Sequence, residues 1–594
     1  MVAFLRWCRS ILVGTLNGFV KIALALVLIV VVLGVVGLAK GDGLPPKIIL
    51  SMDLRQPMAD SSAPSPFGFG SHRPTVMDIV LGLDAAQRDN RVKGVFMRVG
   101  SADMPVAQAE EIRAAIQRFR SSGKFVIAYA QGFFSEGLGD YLAASSANEI
   151  WMEPKSPFEP AGTAGGAIFL RGLFDKIQAE PQIVKRAEYK SAADMFMEKG
   201  YTPANREETQ EVLQSWYNVA TAQAASDRRL DQKSIVSAIE QSPQFAGSVL
   251  RAHLIDRIGY DDDAQWAALR RAGADAKAID IVDYVHTKQR IGVSGGNIAL
   301  IEAAGDIQDG KVETSPFGGE NTVIAGDNLS QAIRAAADDK SIKAIVLRVD
   351  SPGGSVTASD QILNAVKKAQ AKGKPVVISM GSLAASGGYY ISSSANKIVA
   401  EPGTLTGSIG VLTGKVSVGK TLGLIGVTAE DIGVGKNALF NSGIEPYTPE
   451  QLANLNAQAD AIYADFTQKV AAGRKLPLAQ VQAIAKGRVW TGADAKARGL
   501  VDRLGGFWTA VDEAKKLAGI GPNEQAVFKR YPQPKGFFQA FSNMFGQSAA
   551  TMRAMQGLVT IMSSPPARIA IRALNETPRG GVEMRAVNLP GQAY

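Results

Sequence analysis

Two hydrophobic textures alternate along most of this chain. Short β-branched apolar runs such as Ile345 to Val349 and Val376 to Met380 flank longer stretches of helical periodicity such as Ala358 to Ala371. That rhythm predicts βαβ units and an α/β fold. The strand-like runs are almost continuously apolar, without polar alternation, so both faces of the sheet are expected to be covered. Thr202-Pro203 and Thr448-Pro449 each read as an N-cap followed by a first-turn proline, opening a long helix. One segment differs from all others: Ile22 to Ala39 carries no charge over 18 positions. It is long enough to cross a hydrocarbon core as a helix. Arg6, Arg9 and Lys21 precede it, whereas only Lys40 and Lys47, with Asp42 between, follow it. The positive-inside bias therefore puts residues 1–21 in the cytoplasm and the rest of the chain outside. A cleaved signal peptide is the competing reading, but the apolar stretch is long and no clear small-x-small site follows it.

The hydrophobic pattern also repeats on a larger scale. Lys47-Ile48-Ile49-Leu50 stands 250 residues before Asn297-Ile298-Ala299-Leu300, and Ser65-Pro66-Phe67-Gly68 recurs as Ser315-Pro316-Phe317-Gly318. The strand-like run from Val92 to Val99 answers to Ile342 to Val349 at the same offset. Beyond a two-residue gap, Ser146-Ala147-Asn148 matches Ser394-Ala395-Asn396, and after a further shift Tyr201-Thr202-Pro203 matches Tyr447-Thr448-Pro449. Two copies of one domain are thus expected, over residues 47–285 and 296–525. Residues 526–594 match nothing in the first copy and hold five of the 15 methionines. They read as a flexible tail, or as a Met-rich stretch that docks on a partner or a membrane surface.

Composition narrows the chemistry. Of 594 residues, 46% are hydrophobic and the net charge is +8, with no basic run interleaved with aromatics, so nucleic acid is a poor partner. A single cysteine, Cys8, excludes internal disulfides and thiolate metal clusters. The three histidines, His72, His253 and His286, include no metal-spaced pair, so no metal or other cofactor is expected.

Function is expected where the copies differ. Ser386, in Ala385-Ser386-Gly387-Gly388-Tyr389, falls opposite Leu138, so the first copy lacks that hydroxyl. Asp350-Ser351-Pro352-Gly353-Gly354-Ser355 faces Gly100-Ser101-Ala102-Asp103-Met104-Pro105. A Gly-Gly turn after a strand can aim backbone N–H groups at an oxyanion, although ordinary tight turns would look the same. A nucleophilic serine needs a base, and no histidine of the first copy has a counterpart in the second. Lysine is the alternative if burial lowers its pKa. Lys190, in Glu188-Tyr189-Lys190-Ser191-Ala192, aligns with Lys436 in Gly435-Lys436-Asn437, so the lysine occurs twice and the serine once.

Three motifs in order, Ser351-Pro352-Gly353-Gly354-Ser355, Ala384-Ala385-Ser386-Gly387-Gly388-Tyr389 and Leu405-Thr406-Gly407-Ser408-Ile409-Gly410, closely resemble the bacterial signal peptide peptidases. These are membrane-anchored serine proteases related to the Clp protease and crotonase folds, and their long form is duplicated. The resemblance covers roughly residues 20–525. It implies two tandem spiral ββα domains behind one N-terminal transmembrane helix at residues 22–39. It further implies a Ser/Lys dyad, with Ser386 as nucleophile, Lys190 as general base, Ser408 orienting the lysine, and the amides of Gly353 and Gly354 as the oxyanion hole. Lys436 remains a second candidate base, because single-domain relatives carry their lysine at that position. If copies alternate around a ring and each site draws its serine and lysine from neighbouring copies, Ser386 meets Lys190 and Lys436 faces Leu138. Apolar peptides such as signal-peptide remnants are the implied substrates, with a homotetramer at the bacterial inner membrane and the catalytic domains on the periplasmic side. A non-catalytic membrane scaffold of the same fold is the main alternative, and crotonase-type acyl-CoA chemistry a further one.

Overall fold

The computed structural model describes residues 42–63, 73–290, 297–312, 319–320, 323–532 and 583–585. The segment 22–39 expected to cross a membrane lies outside them; among the described residues no helix is long and apolar enough to do so.

Each copy is built on a parallel sheet. In the first, the strand order is Lys277–Asp280, Ile48–Asp53, Val92–Val99, Phe125–Ala130, Glu149–Met152 and Arg257–Ile258. In the second, Phe528–Tyr531, Ile298–Ala304, Ala344–Ser351, Val376–Ala385, Lys397–Ala400 and Arg503–Leu504 follow one another in the same way. The strand Phe528–Tyr531 thus extends the second copy beyond residue 525, into what sequence comparison assigns to the tail. It takes the place that Lys277–Asp280 takes in the first sheet.

The apolar runs form strands buried on both sides. All six residues of Phe125–Ala130 are buried, with Val126 and Ala128 in one core and Phe125, Ile127 and Tyr129 in another. The larger core is shared between the copies, since Leu300, Val346, Val377 and Phe507 of the second pack with residues of the first. At this junction Arg348 is fully buried, 2.6 Å from Asp60 and 2.7 Å from Glu111 of the first copy, with further bonds to Ser379 Oγ and the Met380 carbonyl. Ion pairs this dry fix how two surfaces meet, because neither charge can be left alone there.

Thr202 and Thr448 cap the helices Pro203–Arg228 and Pro449–Arg474, each accepting a hydrogen bond from the third helical N–H. A third sheet crosses between the copies: Val323–Ala325, Asp306–Gln308, Gly353–Ser355, Glu583–Arg585, Val411–Ser417 and Glu180–Arg186. Its last pairing, Val411–Ser417 antiparallel to Glu180–Arg186, carries first-copy backbone against the second copy.

Candidate active site

Ser386 stands where the strand Val376–Ala385 turns into the helix Gly387–Ser392. The turn is tight, and Ser386 has φ +55° and ψ −115°, a conformation that costs an L-residue about 1–3 kcal/mol and recurs at functional sites. Its N–H donates to the Gly407 carbonyl at 2.9 Å. Only glycine fits the two positions that follow. A Cβ on Gly387 would lie 2.9 Å from Ser359 Oγ and 3.1 Å from Gly354 N, and one on Gly388 would lie 2.8 Å from the Ser351 carbonyl oxygen.

The strand Glu180–Arg186 delivers Lys190 to this point from the first copy. Lys190 Nζ lies 2.9 Å from Ser386 Oγ, 2.9 Å from Ser408 Oγ and 3.1 Å from the Ser408 carbonyl oxygen. A neutral amine has two N–H groups and one lone pair, which matches two acceptors on Ser408 and one hydroxyl donor on Ser386. Burial pushes the lysine pKa down to about 7, against a smaller opposing pull from Glu208. Two glycines make room: a Cβ on Gly410 would lie 3.2 Å from Lys190 Cδ, and one on Gly487 2.7 Å from Lys190 N. Ser408 is held by its own N–H, which donates to the Arg488 carbonyl at 2.7 Å.

Glu208, which sequence reasoning missed, sits behind the lysine on the helix Pro203–Arg228. It accepts from Val489 N at 2.7 Å and from Ser191 Oγ at 3.3 Å. Burial raises its pKa to about 8. Nothing in its sequence context marks it, since the contact depends on how that helix crosses the second copy.

The structure divides the candidate oxyanion amides. Gly353 N–H donates to Ser351 Oγ at 3.1 Å, so it is already engaged. Gly354 N borders Gly387, whose own N–H opens a helix and has no acceptor four residues back. Gly354 N thus lies beside Gly387, which directly follows Ser386. Gly387 was legible in principle from the strand-Ser-Gly-helix order. Lys436 is not brought into the cluster: its side chain is exposed and pairs with Glu450 at 2.6 Å. Residues 425–434, between the helix Gly419–Leu424 and Lys436, form no strand and are all exposed, so no strand there carries Lys436 toward a serine.

The first copy keeps the shape of this turn without its serine. Leu138 occupies the turn before the helix Gly139–Ser145, beside a cleft of about 770 Å³. Asp140, at the position of Gly388, accepts the Asp103 N–H at 3.0 Å with further backbone bonds from Ala102 and Met104. A carboxylate thus occupies the amides that correspond to the Gly353-Gly354 loop.

The model of peptidase family S49 matches residues 118–275 and 368–521, and that of the Clp protease family matches residues 318–403. The chain is 33% identical to Protease 4 of Salmonella typhi over 89% of this chain and 85% of that protein. It is 32% identical to the chloroplastic serine protease SPPA of Arabidopsis thaliana, over 86% and 75% respectively. Against Protease 4 of Haemophilus influenzae the identity is 32%, over 75% and 74%.

Proposed function

Because the chain belongs to peptidase family S49 and is a serine protease with its domain duplicated, we propose that Ser386 is its nucleophile and Lys190 its general base. The observation that carries this reading is the 2.9 Å approach of a fully buried lysine amine to the serine hydroxyl. Neutral Lys190 takes the proton as Ser386 Oγ attacks the scissile carbonyl, and Ser408 holds the resulting ammonium. The Gly354 and Gly387 amides receive the oxyanion. On collapse the ammonium gives its proton to the leaving amine, and the acyl-enzyme is then hydrolysed by water activated by the same lysine. Low dielectric is what allows this base to work near neutral pH. A serine-reactive fluorophosphonate tests the assignment: labelling of the wild-type chain is expected to vanish in Ser386→Ala and to slow in Lys190→Met. A folded wild-type protein that never labels would favour the scaffold reading.

We further propose that residues 22–39 anchor the chain in the bacterial inner membrane, with the catalytic unit on the periplasmic side, and that apolar peptides such as signal-peptide remnants are its substrates. The uncharged segment and the preceding Arg6, Arg9 and Lys21 support the anchor, and an anchor holds the site beside such peptides.

A homotetramer is the proposed assembly, and two unsatisfied edges support it. In the second copy Val411–Ser417 pairs with Glu180–Arg186. The corresponding first-copy stretch, residues 163–169, forms no strand, borders the cleft beside Leu138, and leaves Ile168 72% exposed. In the second copy, the counterpart of Glu180–Arg186 and the residues just after it leave Ile432 and Val434 92% and 97% exposed. These edges complement one another between chains, and a head-to-tail contact that closes makes a ring. Mass photometry is expected to give tetramers for the wild type and monomers for Ile432→Lys/Val434→Lys. A tetramer unaffected by both substitutions would remove this support.

A further inference from the structure

The cleft beside Leu138 is the first copy's counterpart of the space next to Ser386. Residues 101–105 answer to 351–355 and residues 163–169 to 411–417, and parts of both stretches line the one cleft of about 770 Å³. In the second copy backbone lies between these edges, since Glu583–Arg585 is antiparallel to both Gly353–Ser355 and Val411–Ser417. In the first copy one wall is tied down by its own bonds. The Glu136 carbonyl accepts from Ala161 N at 2.9 Å and from Gly162 N at 3.2 Å, and Thr163 Oγ1 donates to the Leu213 carbonyl at 2.9 Å. Backbone set along a groove in this way accepts an extended peptide. Leu138 offers no nucleophile, and the Asp140 carboxylate holds the amides of Ala102, Asp103 and Met104. A peptide lying there is bound and not cut.

The lining says which peptide. Met104, Leu138, Trp216 and Leu405 make an apolar surface, and among the described residues of the cleft the only charged ones are Asp103 and Glu136, both acidic and exposed. Asp103 Oδ1 accepts from Ser135 Oγ at 2.7 Å, and Ser135 Oγ accepts from the Gly137 N–H at 3.0 Å, so that carboxylate is fixed in place. An apolar run with a basic group at one end complements both features, and that is the general make-up of a signal peptide. We propose that this cleft is a second, non-hydrolytic peptide site, which takes an extended apolar segment carrying a lysine, an arginine or a free amino terminus. The proposal deepens the reading of such peptides as substrates and rests on it. The second copy supplies part of the wall: Ser382 lies on the strand Val376–Ala385, which leads to Ser386, and Leu405 opens the strand Leu405–Gly407, which leads to Ser408. A segment held in the cleft therefore lies against the same body that carries the nucleophile.

Photocrosslinking to the full chain tests the site, with Ser386→Ala present so that no probe is hydrolysed. The probe is a peptide of lysines followed by alternating leucines and alanines, with a benzoylphenylalanine at its centre, and crosslinked residues are mapped by mass spectrometry. Crosslinks are expected within residues 101–107 and 161–166. Asp103→Asn with Glu136→Gln should lower their yield at subsaturating probe about five- to tenfold at low salt, and less at high salt. Ala164→Trp, which fills the cleft from an exposed position, should abolish them. A probe with glutamines in place of the lysines should crosslink the parent as weakly as the lysine probe crosslinks the charge variant. With Ser386 restored, both sets of substitutions raise KM for the long lysine-leucine peptide and leave a short fluorogenic peptide unaffected. Crosslinks that map elsewhere, or yields in the cleft that ignore the substitutions and the lysines, would overturn the site. Cleft-dependent crosslinking in a chain whose wild type neither labels with fluorophosphonate nor hydrolyses peptide would overturn the catalytic reading and leave the site standing.

Discussion

Replacing Lys190 with methionine tests the chemistry and the electrostatics of the site together. A lysine whose pKa falls from 10.5 in the unfolded chain to about 7 in the fold destabilises the folded state by about 5 kcal/mol well below pH 7, at about 1.4 kcal/mol for each tenfold change in proton affinity. The folded state binds this proton less tightly than the unfolded chain does, so stability climbs as pH rises from about 7 toward 10.5. Between pH 7 and 9 the gain from this one group is about 2 kcal/mol. Glu208 acts in the opposite sense, because a carboxyl raised from 4.5 to about 8 loses its contribution as pH rises through 8. It is present in both proteins, so the difference between wild type and Lys190→Met isolates the lysine to first order. Scanning calorimetry at pH 7 and 9 is the assay. A difference of about 2 kcal/mol corresponds to about 4–8 °C in Tm for a domain of 150–250 residues. The wild-type Tm is expected to rise by that much more than the variant's. In parallel, wild-type kcat/KM rises with pH and levels off above about 7, while Lys190→Met loses about 10²–10⁴-fold. Parallel Tm profiles with retained activity in the variant would refute a buried neutral lysine acting as base.

Three further outcomes are expected. Ser386→Gly should be more stable than Ser386→Ala by about 1–3 kcal/mol, since only glycine takes φ +55°, ψ −115° without strain; equal Tm values would mean the turn relaxes. Gly387→Ala places a Cβ 2.9 Å from Ser359 Oγ and 3.1 Å from Gly354 N and should lower kcat about 10²–10³-fold, as expected for disturbed oxyanion donors, together with a lower Tm from the crowding. Arg348→Met strands Asp60 and Glu111 at the junction of the copies and should cost about 3–5 kcal/mol near neutral pH. The loss should be smaller at pH 5, where buried neighbours such as Asp350 and Glu110, each raised by burial to about 7, carry protons; a loss independent of pH would count against the stranded charges.

The fold and half of the candidate site were legible because duplication exposes both. The offset of 250 residues pairs Val92–Val99 with the strand that ends at Ser351, and these occupy equivalent places in two sheets. Ser386 was visible because its repeat-mate is Leu138. Lys190 and Lys436 could not be told apart by residue type. What separates them is the antiparallel pairing of Glu180–Arg186 with Val411–Ser417, a contact between distant parts of the chain that no local pattern encodes. Glu208 was invisible for the same reason, and the engagement of the Gly353 amide depends on a rotamer of Ser351. The strand Phe528–Tyr531 was misassigned because it is short and lies next to a segment of different composition, while its partner Ile298–Ala304 is far off in sequence.

The arrangement of Lys190 and Ser386 on one polypeptide has a kinetic consequence. Were the lysine and serine copies separate molecules, the reactive pair would exist only as a complex, and its population would fall on dilution. Here the encounter is intramolecular, so the pair forms by a first-order step and persists at any concentration at which the chain stays folded. Labelling of Ser386 per chain should then be constant across a dilution series that takes any larger assembly apart.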